Sequence, residues 1–137
     1  MKLIEPIALG KLACWLGVFA DAGATLALLF PARMLSVPEL YLSSATRGSL
    51  GVGAALILGW TFLLVWTSAK PVERRGLLLI TMAAVIPGLA ISLGYGLRCG
   101  YIPFRTAVAM WCTQSLLLIV MGAAYGAARR EVAAEHG

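Results

Sequence analysis

Four apolar runs, at about 7–30, 44–67, 76–97 and 105–128, take up nearly the whole chain. Each is about as long as the roughly 20 residues needed to cross a bilayer core. In lipid every backbone N–H and C=O must be satisfied within its own segment, so each run reads as a helix. The expectation is an all-α fold: one integral membrane domain, a four-helix bundle of four transmembrane helices. Composition points the same way, because a chain of 137 residues that is 61% hydrophobic and only 12% charged has too few polar side chains to cover a soluble globule. The first run is longer than the roughly 7 to 15 residues of a signal-peptide core and shows no small-x-small cleavage site ahead of a soluble segment, so it reads as a retained helix.

The net charge of +5 sits at the ends of the apolar runs, which fits lipid headgroups and topology rather than nucleic acid. With four spans, Lys2, Lys11, Lys70, Arg74, Arg75, Arg129 and Arg130 fall on one side and Arg33, Arg47, Arg98 and Arg105 on the other. This asymmetry predicts both termini in the cytoplasm. Cys14 and Cys112 read as small packing residues, Cys99 as a free thiol in a loop, and with His136 the lone histidine no redox dithiol or metal site of usual spacing is expected.

Pro6 suits the first turn of helix one. Gly17, Ala20, Asp21, Ala24 and Leu28 recur there at helical spacing, placing the acid on a small-residue stripe that faces another helix. Trp15, Val18, Phe19, Leu26 and Leu29 make up the lipid face. Residues 31–43 form an interfacial segment, a short helical turn and then an extended Val37-Pro38 step. Helix two carries the small-residue pairs Gly51/Ala55 and Ala55/Gly59, a signal for close helix contact. The turn with Lys70, Pro71, Glu73, Arg74 and Arg75 makes helices two and three antiparallel neighbours. Pro87-Gly88 predicts a kink in helix three. Tyr101 and Phe104 read as interfacial aromatics, and 129–137 as a short mobile tail.

A rise of 1.5 Å per residue puts Asp21 roughly 14 Å in from the Phe30 end of helix one, Arg47 roughly 5 to 9 Å into helix two and Gln114 roughly 14 Å into helix four. All three depths are measured from the same side. Two readings follow. In one, Asp21, Arg47 and Gln114, with Ser92, Tyr95 and Trp111 above them, line a ligand pocket for a ring-bearing amphiphile such as a quinone or a sterol-like molecule. In the other, Asp21 and Arg47 form an internal ion pair that fixes helix register with no ligand. No second carboxylate, buried histidine or serine–base pair is expected near Asp21, so enzyme chemistry has little support. A membrane acid on helix one also allows proton-coupled transport of hydrophobic cations.

The run Gly17-Val18-Phe19-Ala20-Asp21-Ala22-Gly23 through Phe30-Pro31-Ala32-Arg33-Met34-Leu35, then Arg47-Gly48-x-x-Gly51-x-Gly53-Ala54-Ala55 and a basic turn, resembles the DoxX-like group of small bacterial four-helix membrane proteins. The resemblance covers the first three helices and implies a multi-pass protein of the bacterial cell inner membrane with both termini inside. Members are linked to quinone-associated oxidoreductase complexes. Arg47 matches the arginine early in helix two, whereas Asp21 maps to no family position. The small multidrug transporters share four helices and a helix-one acid, but this chain is longer, has the 31–43 segment and offers Arg47 to neutralise Asp21. The expected function is therefore a non-catalytic membrane module, with a quinone or lipid as its possible ligand, a membrane protein or second copy as its possible partner, and no nucleic acid. It either binds a lipid-soluble amphiphile or serves as a subunit of a membrane complex.

Overall fold

The computed structural model describes residues 6–34, 43–100 and 102–135, and these are almost entirely helical. Helix α1 is Pro6–Leu29, α2 the single turn Pro31–Met34, and α3 is Ser44–Ala69. The third span joins α4 (Arg75–Ile80), a π-helical turn (Thr81–Val85) and α5 (Ile86–Arg98), and α6 runs over Phe104–Glu135. Pro6–Leu29, Ser44–Ala69, Arg75–Arg98 and Phe104–Ala133 are each long and apolar enough to cross a membrane. The chain is an all-α, multi-pass membrane four-helix bundle. The Val37-Pro38 step, Tyr101 and His136 lie outside the described residues.

Local chemistry sets the helix ends. Ser43 caps α3, its hydroxyl accepting from the Thr46 backbone N–H at 3.2 Å. Gly100 sits at φ +75°, and its N–H donates to the Leu97 carbonyl, closing the third span before the chain turns into α6. Ile102 folds back over Gly96, where a Cβ would fall 2.8 Å from its Cδ1. Before the proline expected to kink helix three, the span changes from α- to π-helical over Thr81–Val85. Pro87 lies in the first turn of α5, where its missing N–H is tolerated, and the π-helical turn takes up the displaced backbone.

One expectation is corrected here. Arg129, Arg130 and Glu131 do not begin a tail but continue α6 to Glu135. From Ala127 onward the residues are mostly good helix formers with no glycine or proline before Gly137, so nothing in the sequence stops the helix.

Helix α1 lies at the centre, packed along α3 on one side and α6 on the other, while α4 and α5 pack on α6. α3 meets α4 beside the turn at 70–74. Lys11, Lys70, Arg74, Arg75, Arg129 and Arg130 gather at that basic end. There the bundle is closed: its buried cluster is Ala13, Cys14, Leu64, Leu78, Ile86, Met121 and Ala124, with Trp60 and Leu117 packed against it. Toward the opposite end the buried residues are Thr25, Pro31, Ala54, Leu93, Gly96 and Ala107, most of them small.

Candidate functional site

Glycines fix the helix registers. A Cβ on Gly10 would sit 2.6 Å from the Pro71 Cβ, one on Gly17 2.8 Å from Leu64 Cδ1, and one on Gly53 3.5 Å from Leu28 Cδ1. The three pairs describe one antiparallel register of α1 on α3, which sets Asp21 level with Trp60. Gly17 also faces the Met121 Cε, at 3.0 Å, so along α6 the level of Asp21 is Leu117 and that of Ala24 is Gln114. Asp21 and Thr25 lie one turn apart on the same α1 face as Gly17, turned between α3 and α6.

Four side-chain polar atoms in this layer are buried and lack a hydrogen-bond partner: Asp21 Oδ2, Thr25 Oγ1, Trp60 Nε1 and Gln114 Oε1. They come from three helices and span about one helical turn of depth, roughly 6 Å. Three other threonine hydroxyls in the spans turn back onto their own helix. Thr61 donates to the Ile57 carbonyl at 2.9 Å, Thr81 to Leu77 at 2.8 Å and Thr113 to Ala109 at 3.0 Å. Thr25, 91% buried and four residues from Asp21, makes no such bond. Thr67 Oγ1 and Glu131 Oε2 are also unpartnered but lie toward the basic end, away from this layer.

No protein-family model, curated protein or solved structure matches this chain.

Of the six predicted site residues, the structure brings Asp21 and Gln114 together. Trp111 is half-buried one turn farther out, its Cζ2 3.9 Å from where a Gly94 Cβ would sit. Ser92 and Tyr95 point away from the interior, Tyr95 with 68% of its surface exposed. Arg47 lies elsewhere, in a groove with Phe30, Pro31 and Arg33 beyond the end of α1.

The predicted Asp21–Arg47 ion pair is therefore corrected. The register puts Arg47 roughly 20 Å along α3 from the level of Asp21. Counting both depths from the ends of their own helices treated those ends as level, but α3 begins well beyond the end of α1, so the two charges do not meet. The Gly51/Ala55/Gly59 stripe is a second correction. Gly51 and Gly59 have nothing within 4 Å of a Cβ position and Ala55 is exposed, so the stripe does not make the α1 contact, which Ala54, Thr61 and Leu64 make. Cys112 is a third: it is exposed on α6 and not a packing residue.

Trp60 and Thr25 were not foreseen. Thr25 was legible, four residues after Asp21 on the stripe already assigned inward. Trp60 was not, because only the α1–α3 register sets its level. Together the four groups offer Nε1–H, O–H and amide donors beside carboxylate and amide acceptors. Such a set holds oxygen-bearing partners by hydrogen bonds.

Proposed function

We propose that the chain is a non-catalytic protein of the bacterial inner membrane that binds a lipid-soluble amphiphile, quinone- or sterol-like, with its polar ring atoms held at the Asp21 layer. The carrying observation is the set of four unpartnered polar atoms at one depth. Buried polar groups without partners are costly in an apolar medium, and four of them gathered at one depth support a bound partner there. They sit where the cluster of large buried side chains gives way to a half whose buried residues are mostly small. Membership of the DoxX-like group and service as a subunit of a membrane complex belong to the same proposal, supported by the residues quoted above.

A second reading has one observation in its favour. Arg47 does not neutralise Asp21, which removes an objection to proton-coupled transport of hydrophobic cations. Native mass spectrometry of the purified protein with a short-chain benzoquinone and with a sterol tests the first reading. Retention that drops about tenfold in Asp21→Asn and Gln114→Leu is expected, the size of one lost hydrogen bond to a bound ligand. Equal retention by wild type and both variants sinks it. Proton release on adding a hydrophobic cation such as tetraphenylphosphonium, abolished by Asp21→Asn, moves the assignment to the transporter.

A further inference from the structure

The polar layer at Asp21 is unequal in what it offers. Of its four unpartnered atoms three are oxygens, Asp21 Oδ2, Thr25 Oγ1 and Gln114 Oε1, and one is a nitrogen, Trp60 Nε1. The indole N–H donates and never accepts. An amide oxygen only accepts, and a carboxyl keeps an accepting oxygen in either protonation state. Thr25 does either, because its hydroxyl rotates to suit its partner. The layer therefore holds acceptors on α1 and α6 that need a donor, and a donor on α3 that needs an acceptor.

Neighbouring groups do not meet these needs. Thr61, next to Trp60, donates its hydroxyl proton to the Ile57 carbonyl, and Thr113, next to Gln114, donates to that of Ala109. On α1 and α6 the nearest cations are Lys11 and Arg105, roughly 13 to 15 Å along the helix from Asp21 and Gln114 respectively. Three ligand chemistries can be set against this inventory. A ring carbonyl only accepts, so it answers Trp60 and leaves the Asp21 and Gln114 oxygens bare. An ammonium only donates, so it answers those oxygens and leaves the Trp60 N–H bare. A hydroxyl does both. The α1–α3 register sets Asp21 level with Trp60, so one hydroxyl between these helices accepts from the indole and donates to the carboxyl. About one turn farther out, Thr25 and Gln114 offer the same combination of donor and acceptor to a second hydroxyl. A site with buried polar groups of this kind discriminates by the groups a wrong ligand leaves unmet.

We propose that the Asp21 layer selects a ring-bearing amphiphile by its free hydroxyl, taking a hydroquinone or a sterol-like alcohol in preference to the matching quinone or ketone. This rests on the amphiphile-binding reading above and adds the chemical form that is bound. The hydroxyl is the shared recognised group, whichever of the two rings carries it.

The test is native mass spectrometry of the delipidated full chain, with oxygen excluded and matched probes added separately. These are trimethylhydroquinone, its benzoquinone and its dimethyl ether, then cholesterol beside cholestenone, and dodecylamine. In at least one pair the hydroxyl form is expected to be retained about tenfold better than its carbonyl partner, the size of one hydrogen bond. The ether keeps the oxygens without the donor and falls to the level of the quinone. The pair with the larger preference identifies the source of the hydroxyl. Wild-type protein carries this comparison, so no variant has to fold for it to succeed or fail. Trp60→Phe keeps an aromatic ring and removes the N–H, and it lowers retention of the hydroxyl form severalfold while leaving that of dodecylamine unchanged. If no ring compound is retained in either form, the amphiphile reading falls and this proposal with it. If ring compounds are retained but the carbonyl form equals or exceeds the hydroxyl form in both pairs, that reading stands and the hydroxyl selectivity is overturned. An ether held as well as the hydroquinone, dodecylamine held better than every hydroxyl form, or equal losses of amine and hydroxyl form in Trp60→Phe overturn it too.

Discussion

The two ends of the bundle are built from similar apolar residues and behave differently. At the basic end Gly10 receives Pro71 and Gly17 receives Leu64 and Met121, so backbones approach and large side chains interlock. At the opposite end Gly23, Gly48 and Gly51 meet nothing, Gly96 is met by Ile102 from the following turn, and Leu56, Ile91 and Phe104 face outward. In lipid there is no hydrophobic force driving helix to helix, so association rests on packing and polar contacts. Where a glycine opposes a side chain the bundle is closed. The large interlocked side chains lie toward the basic end and the buried residues beyond it are mostly small, with the polar atoms at Asp21 at the boundary.

The largest effect expected from this contrast is at Leu64, 1% exposed within the cluster at the basic end. Leu64→Ala leaves a cavity against Gly17 and costs about 2 to 4 kcal/mol. Leu56→Ala, at a side chain 71% exposed on the same helix, changes stability by less than about 0.5 kcal/mol. Reversible unfolding in mixed micelles reads both. A large cost at Leu56 breaks the comparison, because it means another chain covers that face.

The glycines sharpen it at a smaller scale. Gly10→Ala drives a methyl into the rigid Pro71 ring and costs about 1 to 3 kcal/mol. Gly59→Ala, with open space at its Cβ and the better helix former in place, gains up to about 1 kcal/mol. The same micelle unfolding measures the pair. Equal destabilisation by both makes the Gly59 face a packed interface and not a lipid surface.

Much of this fold was legible in the sequence because membrane helices must satisfy their own backbones. Length and apolarity alone then locate them, and the observed spans start and stop within about two residues of the expected ones except at the end of α6, as helix ends commonly do. The inward stripe of α1, with Gly17, Asp21 and Ala24, was legible from its spacing for the same reason. What could not be read was register between helices. Asp21 and Arg47 share a side of the membrane in the sequence, yet only the Gly17–Leu64 contact sets Asp21 beside Trp60. Small residues also misled, since Gly51, Ala55 and Gly59 carry the contact pattern and Gly10 and Gly17 make the contacts. Spacing marks a face as able to pack and says nothing of what packs there.

The finest test uses two threonines that share one defect on opposite sides of the boundary. Thr67, fully buried near the basic turn, and Thr25, beside Asp21, each hold an unpartnered hydroxyl oxygen. Valine has nearly the same shape and removes the hydroxyl, so each substitution relieves a buried unsatisfied group and raises stability of the ligand-free protein by about 1 kcal/mol. Their functional consequences diverge. Thr67→Val lies in the closed half and leaves amphiphile retention unchanged, because its hydroxyl is an uncompensated cost of packing there. Thr25→Val removes a donor from the layer and weakens retention severalfold while stabilising the fold, the trade-off expected of a group kept for binding. Unfolding midpoints and native mass spectrometry on the same two variants separate these outcomes. If both variants gain stability and neither alters retention, the Thr25 hydroxyl is a packing defect like that of Thr67, and the polar layer shrinks to Asp21, Trp60 and Gln114.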